Sequence, residues 1–92
     1  MDRPSEWPKL LYKIEPEYSE SARKARYQGS VLLTVDVGVD GKPRNIRVVR
    51  SVGLGLDEKA IDAVSTWRFK PARHKGRAVT AAITIEVNFR LL

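Results

Sequence analysis

Residues 79 to 91, VTAAITIEVNFRL, alternate between apolar and polar positions without a break, and nothing else in the 92-residue chain restricts its fold as strongly. Val79, Ala81, Ile83, Ile85, Val87, Phe89 and Leu91 share one side; Thr80, Ala82, Thr84, Glu86, Asn88 and Arg90 share the other. Side chains of a strand point alternately to its two faces, so the pattern predicts a long strand buried on one face only. Such a strand needs partners to pair with and a layer to cover its apolar side.

The partners are legible upstream. From Ser30, the residues Val31, Leu33, Val35, Val37 and Val39 alternate with Leu32, Thr34, Asp36 and Gly38. Asp40-Gly41 is a strong turn dipeptide, and beyond Lys42-Pro43 the chain returns with Ile46, Val48 and Val49 among Arg44, Arg47 and Arg50, as the second strand of a hairpin does.

Two helices supply the covering layer. Ser19 is suited to an N-cap, Glu20 to a first turn and Gly29 to a close, which predicts a helix over about residues 19–28 with Tyr18, Ala22 and Ala25 on one face. In SVGLGLDEKA, Asp57 is expected to cap a second helix, with Leu56 stapling onto Ile61. Ala60, Ala63, Val64 and Trp67 follow as a buried stripe, Pro71 is expected to stop the helix near Trp67 or Arg68, and Phe69 to pack as the chain leaves. Residues 72–78, ARHKGRA, read as a basic loop. Gly29, Gly41, Leu56, Asp57, Trp67, Phe69 and Pro71 are the expected structural anchors.

The resulting order, helix, strand, strand, helix, strand, runs the last strand in the same direction as the second. It can then make an antiparallel ladder only with the first. The expectation is an α+β domain over residues 16–92: a three-stranded antiparallel sheet of order 2-1-3, both helices on one face, and the last strand as a long exposed edge. Residues 1–15, with Pro4 and Pro8, read as an extended arm with one apolar cluster, Leu10-Leu11-Tyr12, and room for a short strand.

Chemistry is sparse. The chain has no cysteine, which excludes disulfides and thiolate metal sites, and its one histidine, His74, has no acidic neighbour at ligand spacing. Gly53-Leu54-Gly55 before a helix resembles a phosphate loop, but Asp57 and Glu58 put negative charge where an anion needs positive potential. Asp36 and Glu86 on neighbouring strands raise the question of an acid–base pair, and two solvated carboxylates on the open face of the sheet answer it more simply. No enzyme, metal, cofactor or small-molecule substrate is therefore expected. The formal charge of +6 leaves an RNA-binding split βαβ module as an alternative. Against nucleic acid, the first two strands carry no aromatic residue, Phe89 falls on the buried phase, and Asp36 and Glu86 repel phosphate.

The motifs in sequence carry a resemblance. Pro16-x-Tyr18 before a small-residue helix, YQGSV into a valine-rich strand, VDVGVDGKP at the hairpin, SVGLGLDEKAIDAV before WRFKPA, and a final ITIEVNFRL together resemble the C-terminal domain of the TonB-family energy transducers, over about residues 8–92. That resemblance implies a periplasmic domain, tethered through a Pro-rich linker to an inner-membrane helix. It also implies grip on the TonB box and plug of outer-membrane transporters and force from a proton-driven inner-membrane motor complex. Neither helix nor linker is in this chain, so it reads as a domain of a longer protein with Met1 added at its start. The family pattern has Tyr-Pro where this chain has Tyr18-Ser19. Carried over by residue, the resemblance places the partner on Ile83, Thr84, Ile85, Glu86, Val87, Asn88 and Phe89, with Pro16 and Tyr18 beside them. The same edge suits a strand-exchanged homodimer, and a TonB-like interaction domain of an envelope signalling or scaffold protein is the alternative role.

Overall fold

The computed structural model describes residues 3–91; Met1, Asp2 and Leu92 lie outside the described residues. The elements are β1 (Lys9–Tyr12), α1 (Glu20–Lys24), β2 (Gly29–Val37), β3 (Pro43–Arg50), α2 (Leu56–Ser65), β4 (Arg68–Lys70), β5 (Ala72–His74), β6 (Arg77–Val79) and β7 (Ala81–Phe89). The main sheet is antiparallel with order β3-β2-β7, the expected order. Its β2–β7 ladder runs without a break from Gly29 opposite Phe89 to Val37 opposite Ala81.

The alternation in β2 and β7 sorts the two faces as the sequence predicts. Val31, Leu33, Val35 and Val37 are fully buried, and with Ile85, Val87 and Phe89 they meet Ala22 of α1 and Leu56, Ala60 and Val64 of α2 in one core. Leu32, Thr34, Asp36, Thr84, Glu86 and Asn88 form the open face, which carries no aromatic ring.

The helix ends differ from expectation. The first helix stops at Lys24, five residues long, and Ala25 is exposed as its C-cap. Arg26, not Gly29, takes the left-handed conformation (φ 53°). Arg26 N–H then donates to Arg23 O (3.1 Å) and Tyr27 N–H to Ala22 O (2.9 Å), the paired bonds of a Schellman close. Gly29 already belongs to β2. Ser19 is the N-cap as predicted, accepting from Ala22 N–H at 3.1 Å.

The second helix starts two residues early. Gly55 is its N-cap, and Leu56 is its first residue and wholly buried, so Leu56 lies inside the helix and not at the position before the cap from which a staple is made. Asp57 is not the cap: from the first turn its carboxylate reaches back to accept from Val52 N–H (2.9 Å), Gly53 N–H (3.4 Å) and the Ser51 hydroxyl. Pro71 does not end this helix either, because it has already ended at Ser65. Ser65 Oγ donates to Asp62 O (2.6 Å) and Thr66 Oγ1 to Ala63 O (2.7 Å), so hydroxyls compete for the carbonyls of the last turn. Trp67 is still buried, but from beyond the helix, and Phe69 is buried within β4.

Residues 72–79 are a hairpin, not a loop. Ala72, Arg73 and His74 pair with Val79, Ala78 and Arg77, across Lys75 and Gly76 at φ 50° and 80°. Positive φ at both central residues is the two-residue type I′ turn whose twist suits a tight hairpin. The last strand consequently splits at Thr80, with Val79 on the hairpin and Ala81 onwards on the main sheet. Similarly, the first long strand ends at Val37, leaving Val39 exposed.

The arm is pinned along this second lobe. β1 pairs antiparallel with β4, Glu6 bridges Arg73 in both directions (3.0 Å each), and Trp67 Nε1–H donates to Ile14 O at 3.0 Å. The Asp40-Gly41 turn docks there too: Phe69 N–H donates to Gly41 O at 2.9 Å. Gly41 sits at φ 78°, and a Cβ on it would lie 2.1 Å from Phe69 O, so only glycine fits.

Candidate functional site

β7 is an edge strand. It hydrogen-bonds to β2 on one side, and among the described residues no strand pairs with its other side. Over nine residues it therefore offers a continuous row of backbone donors and acceptors. The side chains predicted as contacts divide by face. Ile85, Val87 and Phe89 are buried in the core, Ile83 is half-buried, and Thr84, Glu86 and Asn88 are exposed. A partner along this edge meets backbone and the outer rim of those three polar residues.

The edge is stiffened from behind. α2 packs mainly on β2 and β3, and the inner face of β7 has further cover. At its far end that cover is Tyr18, whose ring stands edge-on to Phe89 (centroids 5.6 Å apart, planes at 82°). Tyr18 OH donates to Tyr27 O at 2.7 Å, which holds the ring there. The structure thus brings Tyr18 to the end of β7, as a half-buried packing residue. Pro16 borders a shallow hollow against α2 with Lys59 and Asp62.

In the turn before α1, Ser19 Oγ accepts from Ala22 N–H and donates to Leu54 O at 2.5 Å, joining this turn to the loop before α2. One small hydroxyl does the work of a cap and of a tether, which a proline at this position could not.

Hollows flank both ends of β7. At the far end Gln28, Gly29 and Ser30 face Asn88, Phe89 and Arg90 around about 470 Å³. Here Ser30 Oγ donates to the Asn88 carboxamide oxygen, and Leu91 N–H donates to Gln28 Oε1 at 2.7 Å. At the near end Arg3, Pro4, Trp7, His74, Val79, Thr80, Ala81 and Ala82 wall a hollow of about 420 Å³. Sequence reasoning missed that second hollow because it missed the hairpin; a glycine in a two-residue gap, Lys75-Gly76, between β-forming residues was the available signal.

Other candidate chemistry resolves into structure. Asp36 lies opposite Ala82 and Glu86 opposite Leu32, so four residues, about 13 Å of strand, separate the two carboxylates along the sheet. Asp36 instead accepts from Asn45 Nδ2 (3.1 Å) and Arg47 (3.5 Å). The Asp57 carboxylate occupies the loop amides a phosphate would need. Burial raises its pKa, but the bonds from Ser51, Val52 and Gly53 outweigh that and leave it lowered. The Arg44 guanidinium, with help from Lys42 N–H, holds the exposed Asp40 carboxyl at about 2. His74 Nδ1 lies 3.1 Å from Arg3 O, and no group of three His, Cys, Asp or Glu among the described residues could hold a metal. No described helix is long and apolar enough to cross a membrane.

Comparison with known proteins converges on one family. The family described as Gram-negative bacterial TonB protein C-terminal matches residues 14–91. Protein tonB2 of Pseudomonas aeruginosa is 35% identical over 82 residues, 88% of this chain and 30% of its own length. Protein TonB of Xanthomonas campestris pv. campestris (strain B100) is 35% identical over 77 residues, covering 83% of this chain and 34% of the relative. TonB of Escherichia coli (strain K12) is 26% identical over 82 residues, 88% and 34%. The solution NMR structure of the Pseudomonas aeruginosa TonB CTD superposes with a TM-score of 0.74 at 27% identity, covering 91% of this chain and 86% of that one. The chain spans about a third of the length of these full-length relatives.

Proposed function

The chain belongs to the family of Gram-negative bacterial TonB C-terminal domains, and from that premise we propose that β7 captures an extended segment of an outer-membrane transporter, its TonB box, by strand addition. The observation that carries this reading is the nine-residue edge of β7, unpaired on its outer side among the described residues while its apolar side chains are committed to the core. Recognition through a backbone ladder draws affinity from main-chain hydrogen bonds, so one domain can serve transporters of differing sequence. It also suits force: a pull along the strand loads the ladder in shear, and bonds loaded together share it. The pull comes from the inner-membrane motor complex, through the part of the protein that lies outside this chain. The domain works in the periplasm as a non-enzymatic link, with the transporter plug as a secondary contact and Tyr18 supporting the edge from behind.

The test is a titration of the ¹⁵N-labelled domain with a TonB-box peptide from a transporter of the same organism. Amide shifts are expected to concentrate on residues 83–89. The same peptide N-methylated at alternate positions separates backbone pairing from side-chain capture, since only every second amide of an added strand faces β7. Methylation in one phase is expected to abolish binding and in the other to spare it. Shifts scattered over the domain, or equal tolerance of both phases, refute the edge reading.

A further inference from the structure

The hollow at the near end of β7 has a position that strand addition alone does not use. Its walls include both Ala81 and Ala82, and consecutive strand residues point to opposite faces, so the hollow meets β7 edge-on. β2, which pairs with Ala81 and Ala82 from the other side, contributes nothing to the lining. The hollow therefore opens on the free side of β7, in line with any strand laid along it. Small side chains at Thr80, Ala81 and Ala82 form its floor, and the arm supplies the opposite wall through Pro4 and Trp7, whose indole is left 55% exposed. Trp7 and Pro4 precede residue 14, where the family match begins, so this wall lies outside the matched region.

We propose that this hollow receives one bulky apolar side chain, leucine or aromatic, from the peptide strand docked on β7, the residue that comes opposite Ala81 and Ala82. The inference rests on the edge reading and adds a specificity pocket to it. A ladder alone reads little sequence; a pocket at one end fixes register, because sliding by one residue turns the anchoring side chain to the other face. The surrounding charge names the chemistry beside the anchor. Residues 3–13 and 66–79, the arm and the β4–β6 lobe, carry eight Lys or Arg and a single Glu, more than the whole net charge of the chain. An acidic residue next to the apolar one is thus favoured.

The test uses the TonB-box peptide extended at either terminus by leucine or by serine. At the terminus that lies against Ala81, the leucine form is expected to bind about tenfold tighter than the serine form, the effect of burying about two methylene groups. Its shifts are expected to spread to residues 79–82 and to the Trp7 indole. In Trp7→Ala the two forms are expected to bind alike while residues 83–89 still respond, and Ala82→Gln, which fills the hollow from its floor, is expected to do the same. Equal affinities at both termini, or a leucine advantage that survives Trp7→Ala, overturn the pocket and leave the edge reading standing. A dimer that Trp7→Ala dissolves, with no leucine advantage, also overturns it, since a second copy then fills the hollow. If no peptide perturbs residues 83–89, the edge reading and the pocket fall together.

Discussion

Replacing Gly41 with alanine tests how the hairpin turn and the second lobe hold each other. Gly41 has φ 78°, and an L-residue in the left-handed region costs about 1–2 kcal/mol. The added Cβ would lie 2.1 Å from Phe69 O, so the turn and β4 must separate. That separation gives up the bond from Phe69 N–H to Gly41 O, worth about 1 kcal/mol net, and loosens a phenylalanine ring that is only 6% exposed. The expected loss is about 3 kcal/mol, a fall in Tm of about 12–24 °C for a domain of this size. Gly76→Ala is the control: its φ is 80°, but nothing lies within 4 Å of the new Cβ. It should cost about 1–2 kcal/mol, and the entropy that alanine removes from the unfolded chain is common to both variants. Melting curves followed by circular dichroism, with urea midpoints as a second measure, give the comparison. Equal losses in the two variants would refute the close-approach argument and leave only the backbone conformation.

Three further expectations are open to direct measurement. Ser19→Ala removes a cap and leaves the Leu54 carbonyl without its donor, so a loss of about 2 kcal/mol is expected in urea unfolding; a change under about 0.5 kcal/mol contradicts the double role. Trp67→Phe keeps a ring in the core but deletes the bond to Ile14 O, and amide exchange along residues 9–14 should accelerate more than exchange in β2. The folded Asp40 carboxyl titrates at about 2 against 3.8 for an unperturbed one, so its stabilising contribution is full above about pH 4 and is lost as pH falls through about 2. Carboxyl-carbon NMR should show that low midpoint, and Arg44→Gln should return it towards the ordinary range; a native midpoint near 4 excludes the pairing.

What could be read from the sequence follows from how much burial each segment encodes. β2 and β7 alternate because one face is core, and the same burial fixes their register, so their pairing and the free edge were both legible. Ser19 was legible because an N-cap needs a particular side chain. Helix ends were harder. At α1 the left-handed residue is Arg26, whose long side chain gives no sign of it, and at α2 the stop is set by Ser65 and Thr66 hydroxyls five or six residues before the conspicuous Pro71. The placement of β1 was beyond reach for another reason. Lys9 to Tyr12 are exposed on both faces, so no periodicity records their docking, which depends on backbone pairing with β4 and on one indole N–H from Trp67. The near-end hollow was lost with them, since its walls come from the arm and from a hairpin whose turn carries only one glycine.

The composition of β7 bears on why its edge stays free. Exposed edges are usually blunted by lysine, proline, a bulge or a short length. Between Ala81 and Phe89 there is no proline and one charge, Glu86, and the ladder to β2 has no bulge over all nine residues. By contrast β3, the opposite edge of the same sheet, carries Arg44, Arg47 and Arg50, begins at Pro43 and has two breaks of register. One edge of the sheet is thus protected and the other is not, although both bound the same core. A regular edge with a single charge is an aggregation hazard that the chain had the means to remove, since it did so on β3. The strand addition proposed above accounts for this asymmetry, since it needs β7 regular and free and makes no use of β3.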